Sequence, residues 1–199
     1  GERLAGVVSI VATAMLVALA AGRIGADDAM YAVGGWAPPI GINFVGDALS
    51  GFFLLIIAVV GFLVAVYSTV YMRRYTAEVK FWSLFMLMIA GMNGVVATGD
   101  LFNMYVFLEI AAISSYALVA FGIGHEELEA SFKYLVIGSV GSSFILVGIA
   151  FLYSITVTLN LADIGRTLQS GGPTGMVKFI SALFIAAAAL RLFQVSGKS

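Results

Sequence analysis

The chain has 199 residues, 61% of them hydrophobic and only 11% charged, with a formal net charge of −1 and a mean hydropathy of +1.06. Soluble domains carry about 25% charged residues, so an ordinary soluble fold is excluded, and the near-zero net charge points to neither nucleic acid nor a strongly charged partner. Cysteine is absent and His125 is the one histidine, which removes disulfides, thiolate nucleophiles and cysteine-held clusters, so no metal or other cofactor is expected.

A membrane-crossing helix needs about 20 predominantly apolar residues. Six stretches reach that length: 4–22, 48–71, 80–98, 101–122, 130–154 and 176–195. The expectation is an all-α, polytopic transmembrane bundle of about six spans, forming a single transmembrane domain over 1–199. The first stretch is read as a true span and not a signal peptide, because its apolar run is long and Arg23 follows Ala20-Ala21-Gly22 directly. The connection 23–47 contains Gly34-Gly35-Trp36-Ala37-Pro38-Pro39, turn residues beside an indole suited to the headgroup level, and is read as an outer loop lying along the interface. Only Gly99 and Asp100 separate the third and fourth spans, which makes them antiparallel neighbours.

Basic residues accumulate on the cytoplasmic side of membrane proteins. With the N-terminus inside, Arg3, Arg73, Arg74, Lys80, Lys133, Arg191 and Lys198 lie at or near the inner side, against Arg23, Arg166 and Lys178 outside. The charge count therefore sets the N-terminus in the cytoplasm, and the expected location is the inner (cytoplasmic) membrane of a prokaryote.

An ionisable group in mid-span costs on the order of 2.5 to 3.5 kcal/mol on insertion scales. Asp47, Asp100, Arg73 and Arg74 fall at helix ends, where water or snorkelling satisfies them. Glu109 does not: it stands about eight residues, roughly 12 Å, inside the fourth span. Such a carboxyl group either takes a proton or stays charged beside a cation, and a site that a moving charge can tip between those states suits proton translocation. The plainer reading is a structural, permanently protonated Glu bonded to a carbonyl or a serine. Lys133 and Arg191 are the candidate cations. Lys133 lies about one turn inside the fifth span and Arg191 near the end of the sixth, so either can also snorkel.

His125, Glu126, Glu127 and Glu129 cluster before the fifth span. Helix capping and dipole compensation explain acidic residues there, while a histidine, His125, also suits a proton-collecting mouth. Within the fifth span, Gly138-Ser139 and Gly141-Ser142-Ser143 form a seam of small residues, whose hydroxyls are also able to hold a file of water. Residues 163–175, with Gly171-Gly172-Pro173, read as a second outer loop.

Three separated motifs carry a family likeness. Thr98-Gly99-Asp100-Leu101-Phe102-Asn103-Met104-Tyr105-Val106-Phe107-Leu108-Glu109-Ile110, continued by Ser114-Ser115-Tyr116-Ala117-Leu118, resembles the helix with the essential glutamate in antiporter-like subunits. These subunits occur in Mrp-type multi-subunit cation/proton antiporters, membrane-bound hydrogenases and respiratory complex I. Glu129-Ala130-Ser131-Phe132-Lys133-Tyr134-Leu135 is similar to the next helix of that family. Gly34-Gly35-Trp36-Ala37-Pro38-Pro39-Ile40-Gly41-Ile42 with Asp47 is similar to its outer loop, above all in the D-type antiporter subunit. The resemblance runs from about 30 to 165.

The resemblance implies a half-channel in which Glu109 interacts with a lysine on a later, broken helix and Lys133 belongs to the proton path. By spacing, Arg191 stands where that lysine would be. Arginine does not readily give up its proton, and the Pro, His and Trp-Leu-Pro that follow in the family are replaced by Leu192-Phe193-Gln194-Val195-Ser196-Gly197-Lys198-Ser199. Family members have about fourteen spans in two inverted repeats of five helices with the glutamate on the fifth span, so this sequence corresponds to an N-terminal half lacking the first helix. The implied function is a proton-translocating subunit acting within a larger ion-translocating complex, with other membrane subunits, lipid, protons and sodium as partners. The alternative is a truncated, non-pumping homologue serving as a structural transmembrane subunit. No nucleophile pair or catalytic site of its own is evident.

Overall fold

The structure is a computed structural model that describes residues 2–72, 77–171 and 174–196, with 2, 3, 174 and 191–196 described by backbone alone. Arg73, Arg74 and Lys198, counted above for orientation, lie outside the described residues. The elements run α1 (Glu2–Arg23), β1 (Ala29–Ala32), β2 (Asn43–Gly46), α2 (Ala48–Tyr71), α3 (Glu78–Ala97), α4 (Leu101–Val119), α5 (His125–Thr156), α6 (Leu161–Gln169) and α7 (Thr174–Ser196). α1 to α5 are each long and apolar enough to cross a membrane, and α7 adds a shorter apolar stretch, Gly175–Leu190. In lipid, helices alone let such segments satisfy every backbone N–H and C=O internally.

Both expected outer loops contain regular structure. Within 23–47, β1 and β2 pair antiparallel, Ala29 opposite Gly46 and Ala32 opposite Asn43. The connection turns through Val33–Gly35, where Gly34 has φ 65°, a conformation open to glycine, and contains a cis Pro38–Pro39 bond. Arg23 ties the hairpin to α1 by donating to the carbonyls of Gly46 and Asp27 at 2.6 and 3.0 Å. The stretch 163–175 is not a loop throughout, because α6 occupies Leu161–Gln169. Asn160 caps it, and Leu161, Ile164 and Leu168 recur at the spacing of one helix face, Ile164 and Leu168 packing onto the bundle core. At nine residues this helix is short, and the turn residues Gly171-Gly172-Pro173 downstream dominate the local sequence signal.

Two apolar clusters organise the bundle. One joins Ala65 of α2 to Trp82, Phe85 and Ile89 of α3, with α1 against it. Small residues make this possible: α2 buries Gly51, Ala58, Gly61, Ala65 and Ser68 along one stripe. The other joins Leu101 of α4, Ile149 and Leu152 of α5, Ile164 of α6 and Ile180 of α7. α3 and α4, antiparallel across Gly99-Asp100, bind the two halves together. At Gly91 a Cβ would come within 2.7 Å of the Ala111 backbone N, so the helices touch backbone to backbone there.

The hairpin, the α3–α4 turn and the α5–α6 turn gather at one end of the bundle, the hairpin end. Gly99 N donates to Asn43 O at 2.8 Å, Leu101 N to Leu159 O at 2.8 Å and Leu161 N to Gly99 O at 2.9 Å. Segments far apart in sequence are thereby laced through their backbones.

Candidate functional site

Glu109 lies at the middle of α4, and its partner is a hydroxyl of α5: Ser142 Oγ donates to Glu109 Oε1. Ser142 is 4% exposed, and Glu109 is half-buried in the chain taken alone. One side of α5 makes this contact. Counting 100° per residue, Ser131, Gly138, Ser142 and Ile149 share a face, and Ser131 Oγ donates to the Tyr116 carbonyl of α4 at 2.8 Å. Two serines eleven residues apart therefore pin α5 to α4. Ser139 and Ser143, the other hydroxyls of the small-residue seam, face outward and donate to the carbonyls of Leu135 and Ser139.

The seam differs on the two sides of the carboxyl group. Toward the hairpin end stand Leu101, Ile149 and Leu152, with Tyr105 and Ile145 packed on them, bulky groups that leave little room for water. Toward the opposite end the facing positions are the small Ala112 of α4 and Gly138 of α5, with the buried Tyr116 of α4 and Ser131 of α5 beyond them.

The remaining residues singled out from sequence fall as follows. Lys133 pairs with Glu129 at 2.7 Å, an exposed i, i+4 bridge with the side chains 62% and 53% accessible. It lies about 13.5 Å along α5 from Ser142 and half a turn around, so the structure does not bring it to Glu109. His125 is exposed in the first turn of α5, about 25 Å along the helix from Ser142. α5 begins at His125, so the acidic cluster belongs to the helix instead of preceding it, as acidic groups near the positive end of the helix dipole favour. The side chain of Arg191 lies outside the described residues. Its backbone position is informative, however: α7 runs antiparallel to α5, with Phe179 against Phe151 at 5.5 Å between ring centroids and Phe184 beside Gly148. Continuing that register sets position 191 level with about position 140 of α5, near the height of Ser142.

Asp100 is another correction. It is 7% exposed and satisfied by the protein, its carboxylate accepting from Asn103 N at 2.8 Å as the cap of α4. Sequence reasoning also missed Asn43 and Asn160, buried polar residues joined by a 2.9 Å hydrogen bond. Asn160 had a readable signal, a cap residue ahead of Leu161, Ile164 and Leu168; Asn43 had none.

A polytopic bundle of long apolar helices defines an integral membrane protein. Comparison with known proteins narrows this. The model for the transmembrane region of NADH:quinone oxidoreductase and Mrp antiporter subunits matches residues 98–196, and that for the N-terminus of NADH-ubiquinone oxidoreductase (complex I) chain 5 matches 36–82. The N-type subunit of NADH-quinone oxidoreductase from Desulforudis audaxviator is 42% identical over 154 residues, 76% of this chain and 30% of that protein. The D-type subunit of the Na(+)/H(+) antiporter from Bacillus subtilis is 37% identical over 153 residues, 77% of this chain and 31% of that protein. Among solved structures, a chain of the membrane-bound sulfane sulfur reductase, an archaeal respiratory membrane complex, superposes with a TM-score of 0.76 at 35% identity, over 98% of this chain and 39% of the other. The chain belongs to the antiporter-like membrane subunit family of Mrp antiporters and complex I. It spans about three tenths of the length of these curated relatives.

Proposed function

We propose that the chain is a proton-conducting part of an antiporter-like subunit, one transmembrane domain working with other membrane subunits in a larger ion-translocating complex, with Glu109 as the switchable acid. The observation that carries this reading is the mid-span Glu109–Ser142 contact on a seam plugged with apolar side chains toward the hairpin end. A hydroxyl donates to a carboxylate and accepts from a carboxylic acid, so Ser142 serves Glu109 in both protonation states. Protons reach Glu109 from the end opposite the hairpin, past the smaller groups of the α4–α5 seam, with His125 at that mouth.

Arg191 and Lys133 act as modulating cations. The waist of α5 at Gly138 and Gly141 is thin and lies between Glu109 and the level of position 191, so a cation arriving there is felt by Glu109 through little intervening material. In a low-dielectric interior such a charge acts strongly over several ångströms. The setting is a prokaryotic cytoplasmic membrane, N-terminus inside, with protons and sodium as the species moved.

A second reading has its own support. Lys133 is occupied by Glu129 on the far face of α5 and Glu109 accepts a hydrogen bond from a serine, an arrangement that also suits a structural, non-pumping subunit. Glu109→Gln separates the two. In membrane vesicles containing the parent complex, the proton-conducting reading expects ion-driven pH changes to fall at least tenfold with assembly intact. Transport at the wild-type rate with Gln at 109 refutes it and leaves the structural role.

A further inference from the structure

At the hairpin end a cavity of about 350 Å³ opens between the start of α2, the α3–α4 turn and the start of α6, with Asn43, Asp47, Thr98 and Asn160 on its polar side and Leu49, Phe53 and Leu161 on its apolar side. The orientation of its two amides is fixed by a relay. The backbone N–H groups of Ala162 and Asp163 both donate to Asn160 Oδ1, at 3.1 and 3.2 Å, so the Asn160 amide nitrogen points away from α6. It donates to Asn43 Oδ1 at 2.9 Å. Asn43 Nδ2 is left as a donor, and among the described residues it has no acceptor although Asn43 is only 3% exposed.

Gly99 presses on the same amide. A Cβ at Gly99 would stand 2.7 Å from Asn43 Nδ2, so the chain closes off any swing in that direction. A buried donor without an acceptor is costly, and one lining a cavity is relieved by an acceptor from outside. The helix starts at this end already have carboxylates, Asp47 and Asp100 as caps of α2 and α4 and Asp163 in the first turn of α6. Their positive ends are compensated, and the unmet demand is for a neutral acceptor in preference to an anion. Leu49 and Phe53 are exposed on α2, so the apolar side of the cavity opens onto a membrane-facing helix surface.

A neutral carbonyl above an apolar chain, at the end of the spans, is the pattern of a phospholipid's glycerol-ester region. We propose that the cavity binds a membrane phospholipid, one ester carbonyl accepting from Asn43 Nδ2 and the acyl chain lying along Phe53 and Leu49. The test is native mass spectrometry of the protein as extracted from the membrane, delipidated and titrated with diacyl phosphatidylethanolamine or with its diether analogue of the same chains. The diacyl lipid is expected to occupy one site about tenfold more tightly than the diether, the scale of one hydrogen bond. Ala162→Trp fills the cavity and leaves the relay untouched, and is expected to abolish that site; Asn43→Asp, which keeps the acceptor toward Asn160, is expected to erase the preference for ester. Equal affinity for the two lipids, or an undiminished site in Ala162→Trp, overturns the proposal and leaves water as the acceptor.

Discussion

Gly91 offers a test of how closely the site depends on helix contact. It lies on α3 against the turn of α4 that carries Glu109: an added Cβ would be 2.7 Å from the Ala111 N and 2.9 Å from the Phe107 O. These are backbone atoms within a helix and cannot rotate aside. Ordinary contact begins near 3.4 Å, so Gly91→Ala must push α3 and α4 apart by roughly 0.7 Å at that turn. Overpacking of this kind costs about 1–3 kcal/mol, while alanine's helix propensity returns about 1 kcal/mol. Gly165→Ala on α6 is the control, because a Cβ there meets nothing within 4 Å and only the propensity gain remains. The difference between the two variants is therefore the close-approach cost alone, about 1–3 kcal/mol. Reversible unfolding in mixed detergent, followed by the fluorescence of the buried Trp82, measures it. Gly91→Ala is expected to melt below wild type or level with it and Gly165→Ala above. Equal stability of the two variants refutes the backbone-to-backbone contact. Because Glu109 lies between Phe107 and Ala111, Gly91→Ala is also expected to lower ion transport.

Three further outcomes follow from single side chains. Asn160→Ala removes two cap bonds to α6 and the link to Asn43; a loss of about 2–3 kcal/mol is expected, seen as faster amide exchange in α6 and β2, with Asn160→Asp intermediate because it keeps the cap. Lys133→Ala breaks only an exposed bridge, so the melting temperature is expected to stay within about 2 °C and any change in transport reports on function; a larger drop contradicts the exposed placement. The Ser50 backbone N–H, and then its hydroxyl, hold the Asp47 carboxyl below its ordinary value of 3.8. A group with a depressed folded-state pKa contributes stability that is present above its unfolded pKa and lost as pH falls through the folded one. Amide protection at the start of α2 is therefore expected to hold from neutral pH to about pH 4 and to fall only below that; a decline centred near pH 6 contradicts the capping assignment.

Much of this protein is legible from the residues because hydrocarbon imposes a severe rule. Segments of about 20 apolar residues must become helices to satisfy their own backbone, so the long helices, the tight α3–α4 turn and the mid-span position of Glu109 could be read directly. The hairpin and α6 escaped because outside the spans turn residues dominate the local signal, and four-residue strands such as Ala29–Ala32 carry too little pattern of their own. α6 declares itself only through three apolar positions and one cap.

The identity of each partner was decided by tertiary structure alone. α4 has apolar residues all round, so nothing in its periodicity tells which face turns to α5, and only packing sets Glu109 against Ser142, thirty-three positions on. The same holds for Asn43 and Asn160, 117 positions apart, and for Lys133, whose charge is plain in the sequence but whose direction is fixed by its place around α5. Composition determines that a segment is helical and how deep a residue lies along it, since both follow from rise per residue and the thickness of the bilayer. Azimuth and register between helices arise from side-chain packing among many segments at once, and those decided which groups meet.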